Sequence, residues 1–290
     1  MAPPGNGHAA GNGLERQVGA PLLSQPAFTE DETGATLDSG EAVCRFNTQQ
    51  GGRLQRWQWR TIPPPDALNP ATRHDSPRPL DLVDPTHGAL VDHFLPLGTK
   101  PQEVMEGTHR EFGDFVDGPF RSQVVDSGGE IRIGMLRDGT ISTGKRSAEV
   151  RMAKSAAIRT GASDIAVLYR VINSSLRPMQ ILFAVEFNLY APGLSHAGSP
   201  GAGEGYFLID GDRPDDSALG SFGVSPGATH LALVNPTGEM ALQVGWDREC
   251  DLWRMPPAGD DGAGARILTV WRIQLPPRDN WAMGLWLAPA

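Results

Sequence analysis

The sequence predicts an all-β fold: a large antiparallel β-sandwich with one short helix. Three observations carry that reading. First, 35 glycines and 25 prolines make up about a fifth of the 290 residues, against about an eighth in ordinary chains, so turns are frequent. Second, short segments rich in β-branched and aromatic residues recur between Gly, Pro, Asn and Asp clusters, as successive strands do. Third, no amphipathic helical stretches separate those segments, which argues against alternating α/β layers.

Taken in order, residues 1–38 are rich in Gly, Pro, Ser, Thr and acidic side chains. Such a segment buries too little apolar surface to offset chain entropy and reads as a disordered N-terminal tail. Residues 39–290 then form a single β-sandwich domain. Strands are predicted at 41–46, 52–60, 122–126, 130–137, 148–159, 229–235, 240–246, 265–275 and 280–287, with a Pro-rich surface excursion at 63–85. The helix follows Thr99 as N-cap, with Gln102 at the capping-box position and Gly107 as its stop. Two strands have distinct patterns. Residues 165–173 are apolar on both faces except at Arg170, as in a strand covered on two sides. In 179–190 the odd positions Met179 to Leu189 are apolar while the even ones include Gln180, Glu186 and Asn188, predicting one buried and one mixed face. The turn NSSLRP between them predicts a hairpin.

Composition excludes several functions. With 25 basic against 34 acidic residues the net charge is −9, the wrong sign for nucleic acid. No apolar stretch approaches the ~20 residues of a membrane span. The N-terminus lacks the basic start and apolar run of a secretory signal, so a cytoplasmic location is expected. Two cysteines, Cys44 and Cys250, cannot build a disulfide framework or a four-thiolate metal site. Phosphate-loop, HExxH and GxSxG motifs are absent, and neither a cofactor nor a metal is expected. The acidic run at 210–216 has Asp215 where a calcium loop needs Gly and Ser221 where it needs Glu, so it reads as a solvated turn.

Glu186, Glu111, Asp114 and Asp117 are the carboxylates available for glycoside chemistry, which needs two across a cleft; the structural alternative pairs Glu186 with an arginine such as Arg170. His93 and His109 with Glu186 form the candidate acid–base set. Trp57 and Trp59 lie two residues apart on one face of a strand, where indoles can stack on a pyranose. Trp246, Trp253, Trp271, Trp281 and Trp286 gather in the last strands; most are expected in the core, with one or two exposed on a concave face.

The segment GALVDHFLPLGTKPQEVMEGTHREFGDFVDGPF (88–120) resembles a stretch of the C-terminal domain of glycoside hydrolase family 57 enzymes, the 4-α-glucanotransferases and related α-amylases. Asp92, His93, Phe94, Leu95, Glu111, Phe112, Gly113, Asp114, Phe115, Gly118, Pro119 and Phe120 carry the match. GGRLQRWQWR, the paired strands around Lys154, FAVEFNLY with Glu186 and Asn188, and DLWRMP with Leu252 to Pro256 follow in order. The loop MPPAGDDGAGA departs from the family by lacking a Ser/Thr/Gln/Glu-rich stretch. The resemblance implies a supersandwich similar to that of galactose mutarotases. It also places the family's catalytic carboxylates in a separate N-terminal barrel, so no residue here inherits those roles. The implied function is a non-catalytic, α-glucan-associated domain that binds carbohydrate (an α-glucan or maltooligosaccharide) or docks a separately encoded catalytic barrel. Trp57, Trp59, Glu186 and Asn188 are the expected sugar contacts. The alternative is a mutarotase-like aldose 1-epimerase using His93 and His109.

Overall fold

The computed structural model describes residues 27–60, 80–143, 146–189, 205–234, 240–257 and 264–289. Sixteen strands and one helix follow in chain order: β1 (Ala27–Asp31), β2 (Gly34–Asp38), β3 (Ala42–Asn47), β4 (Arg53–Trp59), β5 (Leu80–Asp81), β6 (Ala89–Leu95), α1 (Pro101–Met105), β7 (Arg121–Asp126), β8 (Glu130–Thr143), β9 (Arg146–Arg159), β10 (Ile165–Asn173), β11 (Met179–Leu189), β12 (Tyr206–Ile209), β13 (Gly223–Val234), β14 (Met240–Met255), β15 (Ala265–Leu275) and β16 (Asn280–Pro289). All pairings between them are antiparallel, in the order β1-β2-β3-β4-β6-β11-β15-β14-β16-β10-β9-β8-β7, with β13 beside β14, β12 beside β13 and β5 beside β4.

The sheet folds into two layers because β14 serves both. Its Leu242–Trp246 part pairs with β16, and its Asp251–Met255 part pairs with β15. Inner faces meet in one core that includes Trp57, Phe94, Phe183 and Phe187 from the first layer and Ile133, Met152, Val167, Tyr169 and Leu285 from the second. At its centre Lys154 of β9 is fully buried. Its Nζ donates to Asp92 Oδ2 at 2.8 Å, Leu90 O at 2.9 Å and Gly51 O at 3.1 Å. Leu90 lies at a β6 bulge with φ 60°, a left-handed conformation that is strained for a branched side chain; its carbonyl is turned to this ammonium. Burial lifts the Asp92 carboxyl above its usual range and lowers the lysine, each offset by the other's charge.

Several expectations are corrected. Strands β1 and β2 fall inside 1–38, so the sheet begins at Ala27; residues 1–26 lie outside the described residues, as does 63–79 of the Pro-rich excursion. The helix begins one residue later than predicted: Lys100 is the N-cap and its N–H donates to Glu103 Oε2 at 2.9 Å, while Gly107, with φ 67°, ends it as expected. β10 and β11 are not a hairpin. β10 pairs with β9 and β16, and β11 with β6 and β15, so the NSSLRP turn crosses between layers. Their burial is also exchanged. β10 alternates, leaving Leu168 55% exposed, whereas β11 is buried on both faces from Ile181 to Leu189. The second covering of β11 is a smaller apolar cluster in which Val104 of α1 and Trp253 pack on Leu182 and Ala184.

Candidate functional site

The outer face of the first layer holds a buried ionic cluster. Strand alternation places His93 of β6, Glu186 and Asn188 of β11 and Arg266 of β15 on that face, in adjacent strands. His93 Nδ1 lies 2.9 Å from Glu111 Oε2 and its Nε2 lies 3.3 Å from Glu186 Oε2. Arg266 grips both oxygens of Glu186, at 3.2 and 3.0 Å. Asn188 Nδ2 donates to Glu186 Oε1 and to Gly88 O. Burial acts against charge on His93, but hydrogen bonds and charges from Glu111 and Glu186 overcome it and push its pKa up to about 10. Burial likewise opposes ionisation of Glu186, and His93 with Arg266 reverses that, holding the carboxyl well below the usual range. His109, its ring 6.0 Å from that of His93, is held low by burial and by the His93 charge.

The outer face of the second layer is open. Cross-strand register sets Gly284, Leu168, Ser155, Gly134 and Gln123 in one row, and Ala282, Arg170, Ala153, Leu136 and Arg121 in the next. Small side chains in these rows leave a trough of about 860 Å³, with Asp247, Arg248 and Asn280 also on its wall. That volume suits a small-molecule or oligosaccharide ligand. One row further along the same face lies Trp286, opposite Gly245 of β14 and Ala166 of β10. Its indole rests on Gly245, where an added Cβ would fall 2.4 Å from the ring. His230 packs beside it at 5.6 Å between ring centroids, and His230 Nε2 lies 3.1 Å from Gln243 Oε1. The indole remains 40% exposed.

The structure separates the residues expected to touch sugar. Trp57 has no exposed surface and donates its ring N–H to Ser163 O at 3.2 Å. Trp59 faces the same core and is partly buried. Glu186 and Asn188 are buried on the other side of that layer, bonded to each other rather than free for a ligand. The partner of Glu186 is Arg266, not Arg170, whose Nε donates to Asn280 Oδ1. His93 and Glu186 do meet, yet as a closed ion pair. Of the other carboxylates, Asp114 pairs with Arg137 and Asp117 with Arg53. In the acidic loop, Asp210 accepts from Thr229 and the Asp216 carbonyl from Ser221 and Arg254. Cys44 and Cys250 are buried free thiols, both pushed up by burial. Trp286, within the sequence's C-terminal tryptophan group, is the aromatic left exposed beside a trough; only the register against Gly245 could single it out.

A two-layer antiparallel sandwich with an open outer face defines a class, the mutarotase-like supersandwich. It has solved neighbours of matching architecture. A galactose mutarotase-like protein from Clostridium acetobutylicum superposes with a TM-score of 0.56 at 12% identity, over 92% of this chain and 99% of that one. A putative aldose 1-epimerase from Klebsiella pneumoniae gives 0.57 at 15% identity, over 92% and 84%. The 4-alpha-glucanotransferase from Thermococcus litoralis gives 0.59 at 14% identity, over 91% of this chain. This chain spans 39% of that glucanotransferase's length. Among curated proteins no sequence matches significantly. The model of the alpha-amylase/4-alpha-glucanotransferase C-terminal family matches residues 81–258, and the chain belongs to that family. Among the described residues no helix is long and apolar enough to cross a membrane.

Proposed function

We propose that this domain is non-catalytic and holds an α-glucan or maltooligosaccharide in the outer trough of the second layer, with Trp286 as its stacking platform, in the service of a catalytic barrel. The observation that carries this reading is the partly exposed indole resting on Gly245, one cross-strand row beyond Gly284 of the trough bordered by Arg121, Gln123, Arg170 and Asn280. Indole faces stack on pyranose rings, and planar amide and guanidinium groups bind vicinal hydroxyls. Family membership supports a carbohydrate context. Affinity electrophoresis in glycogen or soluble starch tests the proposal. Wild-type protein should be retarded, Trp286→Ala should lose most of the retardation, and Gly245→Ala should lose it too by displacing the ring. Unretarded wild-type protein would refute glucan binding and leave barrel docking as the role of this face. The epimerase alternative requires a histidine and a carboxylate converging on an open sugar; His93 and Glu186 are buried and mutually paired, His109 Nδ1 is enclosed, and both Glu111 oxygens are already engaged by His93 and the Phe94 N–H. Polarimetry on freshly dissolved glucose or galactose should accordingly show no acceleration.

A further inference from the structure

We propose that His93, His109 and Glu111 form a binding site for one divalent transition-metal ion of the zinc class. Each offers a donor atom, and the three atoms lie within 4.8 Å of one another. His93 Nδ1 and Glu111 Oε2, at 2.9 Å, are close to the ~3.3 Å separation of neighbouring ligands on a tetrahedral zinc. A modest opening of that pair and an approach by the His109 loop complete three ligands. The third donor is already waiting: His109 Nδ1 is a buried ring nitrogen with no hydrogen-bond partner.

The surroundings are those of a metal site. Glu111 Oε1 accepts the Phe94 N–H at 2.7 Å and the Gly113 N–H at 3.4 Å, which fixes the carboxylate and leaves Oε2 to the ion. On the far edge of His93, Nε2 faces Glu186 Oε2 at 3.3 Å, and Arg266 anchors Glu186. A metal-bound histidine whose other ring nitrogen donates to a carboxylate is the usual outer-shell arrangement. When the ion binds, Nδ1 of His93 gives up its proton to solvent, and the ring keeps the proton on Nε2 toward Glu186. A cavity of about 250 Å³, lined by Pro96, Thr99, Thr108 and His109 among others, opens at the His109 side of the cluster and supplies an entry path to that ligand. Two imidazoles and one carboxylate favour zinc over calcium or magnesium, which prefer oxygen donors.

The test is isothermal titration of the full chain, stripped with chelator, using zinc chloride, with calcium chloride as control. Wild-type protein should bind one zinc per chain and ignore calcium, and its melting midpoint should rise with zinc. His109→Ala, on a partly exposed loop, should melt unchanged without metal yet bind zinc at least about tenfold more weakly. Glu111→Gln should weaken binding in the same way. Absence of zinc uptake by the wild type would overturn the site, as would equal affinity in wild type and His109→Ala.

Discussion

Replacing Lys154 by Met keeps most of the buried stem and removes the ammonium, leaving Asp92 fully enclosed without its counter-ion. Breaking one side of a buried ion pair typically costs about 3–5 kcal/mol. The structure also predicts how that loss varies with pH. Without the lysine, burial raises the Asp92 carboxyl above its unfolded value with its largest offset removed, only Tyr169 and the His93 charge still acting against it. A group whose folded pKa is raised holds a proton that the unfolded chain has lost, so stability falls as pH rises from the unfolded value toward the folded one. The loss therefore begins near the ordinary aspartate pKa of about 3.9 and grows as pH rises above it. Urea unfolding at several pH values measures this directly. In the Lys154→Met background, Asp92→Asn should flatten the pH dependence and recover much of the stability. A loss below about 1 kcal/mol at pH 7, or one that does not change with pH, would refute the account of Lys154 as the charge that makes Asp92 tolerable.

Two further outcomes follow from the buried groups. Trp57→Ala should destabilise the fold by about 3–5 kcal/mol in urea unfolding while leaving retardation by glycogen unchanged, because the indole is enclosed in the core. In metal-free protein, His93 is lifted to about 10, so its stabilising contribution is complete below the ordinary histidine value near ~6.5 and is lost as pH rises toward 10. Melting midpoints should therefore fall between neutral pH and pH 10 more steeply for wild type than for His93→Gln.

Alternation located most strands because a residue's side of the sheet depends only on its parity. Covering is another matter. Ala166 and Leu168 are as apolar as core residues, yet they face solvent because, among the described residues, no element packs over β10. Glu186 and Asn188 are as polar as surface residues, yet they are buried because Arg266, His93 and the Gly88 carbonyl satisfy them. β6 escaped the strand reading for the same reason: Asp92 and His93 interrupt its apolar run, and each finds its partner on a different side. Trp57 and Trp59 share a face, as their spacing requires; that the face is the interior one depends on the second layer, which supplies the Ser163 carbonyl.

The sequence by itself determined the antiparallel β class, the short helix before Gly107 and the residues that carry the family likeness, since these depend on local propensity and order along the chain. Only the tertiary structure decided that β10 and β11 lie in different layers, that His93 is joined to Glu111 and Glu186, and that Trp286 is the exposed indole. Those facts arise from pairing between strands up to more than a hundred residues apart, such as β10 with β16. Which neighbour a side chain meets across such a distance is set by how the whole sheet closes, and no local pattern encodes it.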